Sequence, residues 1–161
     1  MIVLVMGVSG VGKTTIGAAL AARLNCEFLD GDDWHPAENV AKMAAGTPLA
    51  DEDRWPWLDR LNAEVRAREA LGKSVILACS ALKQAYRDRL TRGLAHWELV
   101  FLHGSFELIL DRIESRHHRY MPASLLQSQF ATLEPPAKAI AVDVAESPER
   151  CVERIRAALR H

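Results

Sequence analysis

Gly7-Val8-Ser9-Gly10-Val11-Gly12-Lys13-Thr14 fills every fixed position of the phosphate-loop pattern G-x-x-x-x-G-K-[ST]. An apolar run, Ile2 to Met6, precedes it, and an Ala-rich helical stretch from Thr15 to Leu24 follows. This strand-loop-helix setting separates a built anion site from a Gly-rich turn that matches by chance. Glycines let the backbone turn tightly and aim N–H groups at phosphate oxygens, and the helix N-terminus adds partial positive charge. Lys13 is placed to reach the β- and γ-phosphates, and the Thr14 hydroxyl to hold Mg²⁺. The expected nucleotide-binding set is Gly7, Val8, Ser9, Gly10, Val11, Gly12, Lys13, Thr14 and Thr15, with a nucleoside triphosphate and Mg²⁺ implied.

The chain of 161 residues suits one domain, able to bury about two thirds of its unfolded surface. Twenty basic residues against 21 acidic ones leave a formal net charge of −1, so nothing favours a nucleic acid partner. Cys26, Cys79 and Cys151 are odd in number, far apart and without a C-x-x-C pair, which points away from a disulfide framework or thiolate metal site. No apolar stretch approaches the ~18 residues of a membrane span. The first apolar run lacks a charged leader, so a cytoplasmic location and no membrane partner are expected.

Strand-like runs recur at Ile2 to Met6, Glu27 to Leu29, Ser74 to Cys79, Glu98 to Leu102 and Ala139 to Val142. Most are continuous and apolar, as strands buried on both faces are. Helical patterns fill the gaps: Lys13 to Leu24, Pro36 to Ala45, Asp53 to Leu71, Lys83 to Arg92, Phe106 to Arg116, Ala123 to Leu133 and Pro148 to Leu159. The alternation predicts an α/β fold of three layers, a parallel five-stranded sheet with helices on both faces. Ligands of such sheets sit beyond the carboxyl ends of the strands, so the residues after each strand carry the functional reading.

After the second strand comes Asp30-Gly31-Asp32-Asp33-Trp34-His35-Pro36. Two carboxylates two residues apart beside a phosphate loop suit phosphoryl transfer to a hydroxyl. One can organise Mg²⁺ through its waters and the other can accept the acceptor's proton. A turn in which Asp33 or a neighbour caps the next helix is the competing reading. Asp51 to Leu58 packs acids, Arg54 and two tryptophans into a helix start; a guanidinium held between aromatic neighbours suits forked recognition of a carboxylate. The third strand ends in Cys79-Ser80-Ala81-Leu82-Lys83, followed by Tyr86-Arg87-Asp88, with Cys79 read as a small buried hydrophobe. Arg112 and Arg116 are four apart on one helix face, able to close over a nucleotide, with His117-His118-Arg119 behind them.

Taken together, these segments resemble the gluconate kinases of the shikimate-kinase-like group of P-loop kinases. The resemblance runs from Leu4 to about Pro136. Asp-Gly-Asp-x-x-His-Pro (residues 30–36), Asp-Arg-x-Pro-Trp-Leu (residues 53–58) and Leu-Leu-x-Ser-Gln-Phe (residues 125–130) are far more selective than the phosphate loop. It implies transfer of the ATP γ-phosphoryl to the 6-hydroxyl of D-gluconate. It places Asp30 near Mg²⁺ with Thr14, makes Asp32 substrate orienter and base, and puts Arg54 and Arg87 on the sugar acid, with His35 and Lys83 on the same side. Arg112 is expected against the adenine and Arg116 against the phosphates, catalysis resting on Lys13, Asp32 and Arg116. A small lid over about residues 116–135 of the single domain 1–161 also follows, and a homodimer would suit the family. Two departures stand out: Arg119-Tyr120-Met121 where relatives often have His-Phe-Met, and Val11 in place of a common Ser.

Rival readings lack their signatures. Shikimate kinases usually carry a Gly-Gly-Gly run after the third strand, and this chain has no adjacent glycines. A GTP-dependent switch needs Asp-x-x-Gly and [Asn/Thr]-Lys-x-Asp elements, and neither is present. A mechanical ATPase wants an acidic pair after an apolar strand, whereas Asp143 is followed by Val144-Ala145. Kinases of another small sugar acid or polyol remain the alternative within the class.

Overall fold

β1 (Ile2–Met6) is buried along its whole length because it has a strand on each side and helices on both faces. The computed structural model describes residues 1–115 and 123–160. The sheet order is β2 (Glu27–Asp30), β3 (Val75–Ala78), β1, β4 (Trp97–His103), β5 (Ile140–Asp143), and every neighbouring pair is parallel. Parallel neighbours need long crossovers, which the helices supply. These are α1 (Lys13–Leu24), α2 (Ala37–Ala44), α3 (Asp51–Ala70), α4 (Gln84–Thr91), α5 (Phe106–Glu114), α6 (Ala123–Thr132) and α7 (Pro148–Leu159). The expected boundaries hold to within one or two residues. A short 3₁₀ turn at Gly31–Trp34, between β2 and α2, was not foreseen as an element.

Alternate residues of β1 divide the interior into two cores, as strand geometry requires. Val3 and Val5 meet Ile16 and Leu20 of α1, Ile109 of α5 and Val152 and Ile155 of α7. Ile2, Leu4 and Met6 meet Leu58, Leu61 and Val65 of α3 and Leu90 of α4. The result is the expected three-layer arrangement, each fully buried aliphatic side chain contributing about 1.5–3 kcal/mol. Helix starts are fixed locally: Ser105 Oγ accepts the Leu108 N–H ahead of α5, and Ser147 Oγ accepts the Arg150 N–H ahead of α7. No helix among the described residues is long and apolar enough to cross a membrane.

The chain passes from β1 to the edge strand β2, returns to β3 and then crosses to β4. Direction therefore switches at β1, and the segments after β1, β2 and β3 converge beyond the carboxyl ends of these strands. Gly31 makes the convergence tight: a β-carbon there would lie 2.8 Å from the Ala78 carbonyl oxygen and 3.3 Å from Cys79 Cβ. Gly31→Ala is thus expected to push the β2 exit off β3, lowering stability by about 1–3 kcal/mol and displacing the carboxylates on either side. Urea unfolding measures the first effect; an unchanged midpoint would show that the contact relaxes freely.

Candidate active site

The phosphate loop is held by its packing as well as by its sequence. Gly10 adopts φ +83°, a left-handed conformation suited to glycine, and a β-carbon there would sit 2.5 Å from Ile113 Cγ1 on α5. Lys13 Nζ folds back to donate to the carbonyls of Gly7 (2.9 Å) and Val8 (3.0 Å). Burial pushes the Lys13 ammonium below its usual pKa, against the opposing pull of Asp32, Cys79 and Asp30. Its donors are held where phosphate oxygens can replace the two carbonyls.

The carboxylates after β2 divide by geometry. Asp30 accepts the Thr14 hydroxyl at 3.1 Å through one oxygen and the Asp32 N–H at 3.0 Å through the other. That pairing puts a hydroxyl and a carboxylate, both hard oxygen donors, side by side at the loop, a donor set that fits Mg²⁺. Mg²⁺ keeps several waters and takes phosphate oxygens, so two protein oxygens suffice. Accordingly, the described residues hold no cluster of three or more His, Cys, Asp or Glu side chains able to bind a metal by themselves. The Asp32 carboxylate stands exposed in the same cleft and, among the described residues, accepts no hydrogen bond.

Beyond Asp32, α3 and the start of α4 bring together His35, Trp57, Arg54, Lys83 and Tyr86. His35 stacks on Trp57 with ring centroids 3.9 Å apart, and Trp57 donates its indole N–H to the Gly31 carbonyl at 2.8 Å. Burial lowers the His35 pKa, with Asp32 pulling upward and Arg54 downward. Arg54 donates to the Leu49 carbonyl at 2.7 Å and lies 3.7 Å from Asp51. Lys83 Nζ is 3.8 Å from the same carboxylate. Both cations pack on the Tyr86 ring, at 5.4 and 5.6 Å from its centroid. The Tyr86 hydroxyl donates to Asp51, holding that carboxylate below its usual pKa. Burial and then the Asp51 bond push the phenol up to about 12.

Two sequence expectations, for Arg54 and Arg87, meet different surroundings here. Arg54 does not sit between its tryptophan neighbours: Trp57 turns inward under His35, and Trp55 packs with Arg89 and Tyr86. Successive helix residues point about 100° apart, so the aromatic partner comes from α4 instead. Arg87, expected on the sugar acid, is buried at 3% exposure. Four of its five N–H groups are taken by the Ala81, Leu82 and Glu134 carbonyls and by Gln84 Oε1. In this structure its guanidinium ties α4 to the chain after α6. Tyr86 and Asp51 were quoted but given no role, and a ring between two cations becomes visible only in three dimensions. Cys79 is buried as expected, its thiol pushed up to about 12 by burial.

On the other side of the loop a second cleft lies between Gly12, Thr15, Arg112, Val144 and Pro148. Arg112 donates to the Val144 carbonyl just past β5, which holds it at this cleft. Gln129, from the Leu-Leu-x-Ser-Gln-Phe segment, grips the loop from α6. Its Oε1 accepts the Ser9 N–H at 2.7 Å and its Nε2 donates to Ser9 Oγ at 3.0 Å. Arg116 and residues 117–122 of the expected lid lie outside the described residues.

Comparison with known proteins places this geometry in a family. A family model described as an AAA domain matches residues 2–136. The chain is 47% identical over 162 residues to a probable gluconokinase of Xenopus tropicalis, covering 89% of this chain and 85% of that protein. It is 48% identical over 133 residues to the thermosensitive gluconokinase of Escherichia coli K12, covering 83% of this chain and 71% of the relative. The crystal structure of a gluconokinase from Sinorhizobium meliloti 1021 superposes with a TM-score of 0.89 at 42% identity, over 98% of this chain and 90% of the other. With the phosphate loop, the paired aspartates and the Arg54 segment in place on this sheet, the chain belongs to the gluconokinase family of P-loop kinases.

Proposed function

We propose that the chain transfers the γ-phosphoryl group of ATP to the 6-hydroxyl of D-gluconate, giving 6-phospho-D-gluconate and ADP. The observation that carries the acceptor is the cationic pair Arg54 and Lys83 about Tyr86, together with the Asp32 carboxylate, which accepts no hydrogen bond among the described residues. A sugar acid has a carboxylate for the pair and hydroxyls for Asp32 and His35. In the unliganded chain Asp51 lies beside both cations, limiting their repulsion until an anion arrives.

In the reaction, Asp32 accepts the proton of the attacking hydroxyl. The new oxygen–phosphorus bond forms as the bond to the β,γ-bridging oxygen breaks, with that electron pair leaving on ADP. Lys13 exchanges its two carbonyl partners for phosphate oxygens, and the backbone of Gly10 to Thr14 cradles the phosphates. Thr14 and Asp30 would hold Mg²⁺, which when bound neutralises charge on the phosphates. Arg112 borders the base side, and Arg116 is assigned to the phosphates. Three free cysteines, Cys79 and Cys151 buried among them, suit a reducing cytoplasm. Coupled ADP release over a panel of aldonates, polyols, shikimate and glucose tests the assignment; a substrate preferred over gluconate overturns it.

The two carboxylates separate in mutants. Asp32→Asn is expected to lower turnover about 10²-fold or more with ATP affinity nearly intact, as loss of a general base does. Asp30→Asn should instead raise the Mg²⁺ concentration needed for half-maximal activity. Superimposable Mg²⁺ titrations for that variant and wild type would refute the division.

Arg54→Lys keeps the charge but loses the planar fork. The gluconate KM is expected to rise about ten- to a hundredfold, with the ATP KM barely altered. Unaltered gluconate kinetics would move the carboxylate to Lys83. For Arg87 we assign a supporting role: Arg87→Lys removes main-chain hydrogen bonds from a buried charge, so stability should fall by about 3 kcal/mol. A raised gluconate KM at an unchanged unfolding midpoint would return Arg87 to the substrate.

A further inference from the structure

Asn39 has no place in the chemistry above, yet among the described residues it is one of three buried polar or charged ones, 2% exposed in α2. Its Nδ2 lies 2.9 Å from the Asp53 carbonyl oxygen and 3.2 Å from His35 Nδ1. The carbonyl can only accept, so the amide atom facing it must be the nitrogen; turning the amide over would set two oxygens against each other. The second hydrogen of the same NH₂ group then points at His35 Nδ1. That ring nitrogen must offer a lone pair, because a protonated Nδ1 would meet a donor head on. Turning the ring would face the buried N–H with carbon and leave it unpaired, at a cost of about 1–3 kcal/mol. Stacking on Trp57 fixes the ring plane as well.

We infer that Asn39 is a positioning residue that locks His35 as the neutral Nε2–H tautomer, so that His35 serves the acceptor substrate as a hydrogen-bond donor and not as a base. Among the described residues no protein group pairs with Nε2. Asp32 on the turn before it and Arg54 on α3 are the charged groups that face this ring, and burial outweighs Asp32 in keeping it neutral at neutral pH. A donor at Nε2 gives a sugar hydroxyl's lone pair a partner while Asp32 takes a hydroxyl proton. The two residues thus read opposite sides of hydroxyl chemistry, which favours a polyhydroxy acid over an acceptor with one hydroxyl. The inference deepens the gluconate assignment and rests on His35 lying on the acceptor side.

Two measurements on the full chain test it separately. Long-range ¹H–¹⁵N spectra of the histidine-labelled protein, with His35→Gln used for assignment, should show His35 Nδ1 unprotonated and Nε2 protonated at pH 7.5. In Asn39→Ala the same ring should show the averaged tautomers of a free histidine, and the gluconate KM should rise about fivefold or more with the ATP KM unchanged. A protonated Nδ1 in wild type, or an unaltered tautomer in Asn39→Ala, overturns the lock whatever the kinetics. For the donor role, glutamine carries an amide near the Nε2 position and asparagine near Nδ1. His35→Asn should therefore raise the gluconate KM at least about tenfold more than His35→Gln. Equal gluconate KM values for both variants and wild type, with the tautomer as inferred, would overturn the substrate role of His35 and leave the lock standing. Loss of gluconate as preferred acceptor in the panel assay would instead overturn the parent assignment.

Discussion

One carboxylate holds the reactive groups in register. Asp30 receives the Thr14 hydroxyl on one oxygen and the Asp32 N–H on the other, so the phosphate loop and the turn after β2 cannot move independently while both bonds persist. β2 reaches this position only by pairing with β3, since Asp30 is the partner of Ala78 at the last rung of that ladder. The parallel sheet thereby sets the separation between the phosphate loop and the Asp32 carboxylate. Close-packed surroundings turn this into a rigid constraint: Leu61 and Cys79 lie against Gly31, and Ile113 against Gly10. Phosphoryl transfer needs attacking and leaving oxygens roughly in line, a demand on position more than on reactivity.

The fold was legible because its signals are local and periodic. Continuous apolar runs bounded by turn residues gave all five strands, and the loop pattern fixed the first crossover. The 3₁₀ turn at Gly31–Trp34 has a local cap in Asp30, which accepts the Asp32 N–H, but the rest of its support is distant: Gly31 lies against Ala78, and Trp57, 26 residues away, bonds the Gly31 carbonyl. The site was legible in kind but not in orientation. Arg54 and Arg87 look alike as isolated letters, both on helices and both near aromatics. What separates them is the supply of acceptors: Arg87 finds carbonyls of Ala81, Leu82 and Glu134, whereas Arg54 finds one carbonyl and the edge of a cationic cluster. Asn39 gave no signal at all, since its meaning depends on a histidine four residues back and a carbonyl fourteen residues ahead.

The selective Leu-Leu-x-Ser-Gln-Phe segment acquires a physical reading from the same accounting. Leu126 is fully buried in the core that contains Val8 and Val11, while Phe130 meets Phe106 of α5 edge to face at 5.8 Å between centroids. These contacts seat α6 beside the phosphate loop and leave Gln129 facing Ser9, 120 residues away, with two hydrogen bonds. Two residues past the end of α6, Glu134 forms a second anchorage. The Glu134 N–H donates to the Leu82 carbonyl, its carboxylate accepts the Gln84 N–H, and its carbonyl accepts Arg87.

The arm from Ala123 to Glu134 is therefore tied at one end to the loop that receives ATP and at the other to the start of α4, which carries Lys83 and Tyr86. Neither tie involves an exposed salt bridge of the kind worth a few tenths of a kcal/mol. The Gln129–Ser9 bonds and the Arg87–Glu134 carbonyl bond lie in partly buried surroundings, where an unmatched partner is costly. A displacement of α6 must consequently either break these bonds or carry Ser9 and the head of α4 along with it. The phosphate loop and the head of α4, with Lys83 and Tyr86, are thus mechanically joined through α6 and Glu134, a physical reason for the selectivity of the Leu-Leu-x-Ser-Gln-Phe segment.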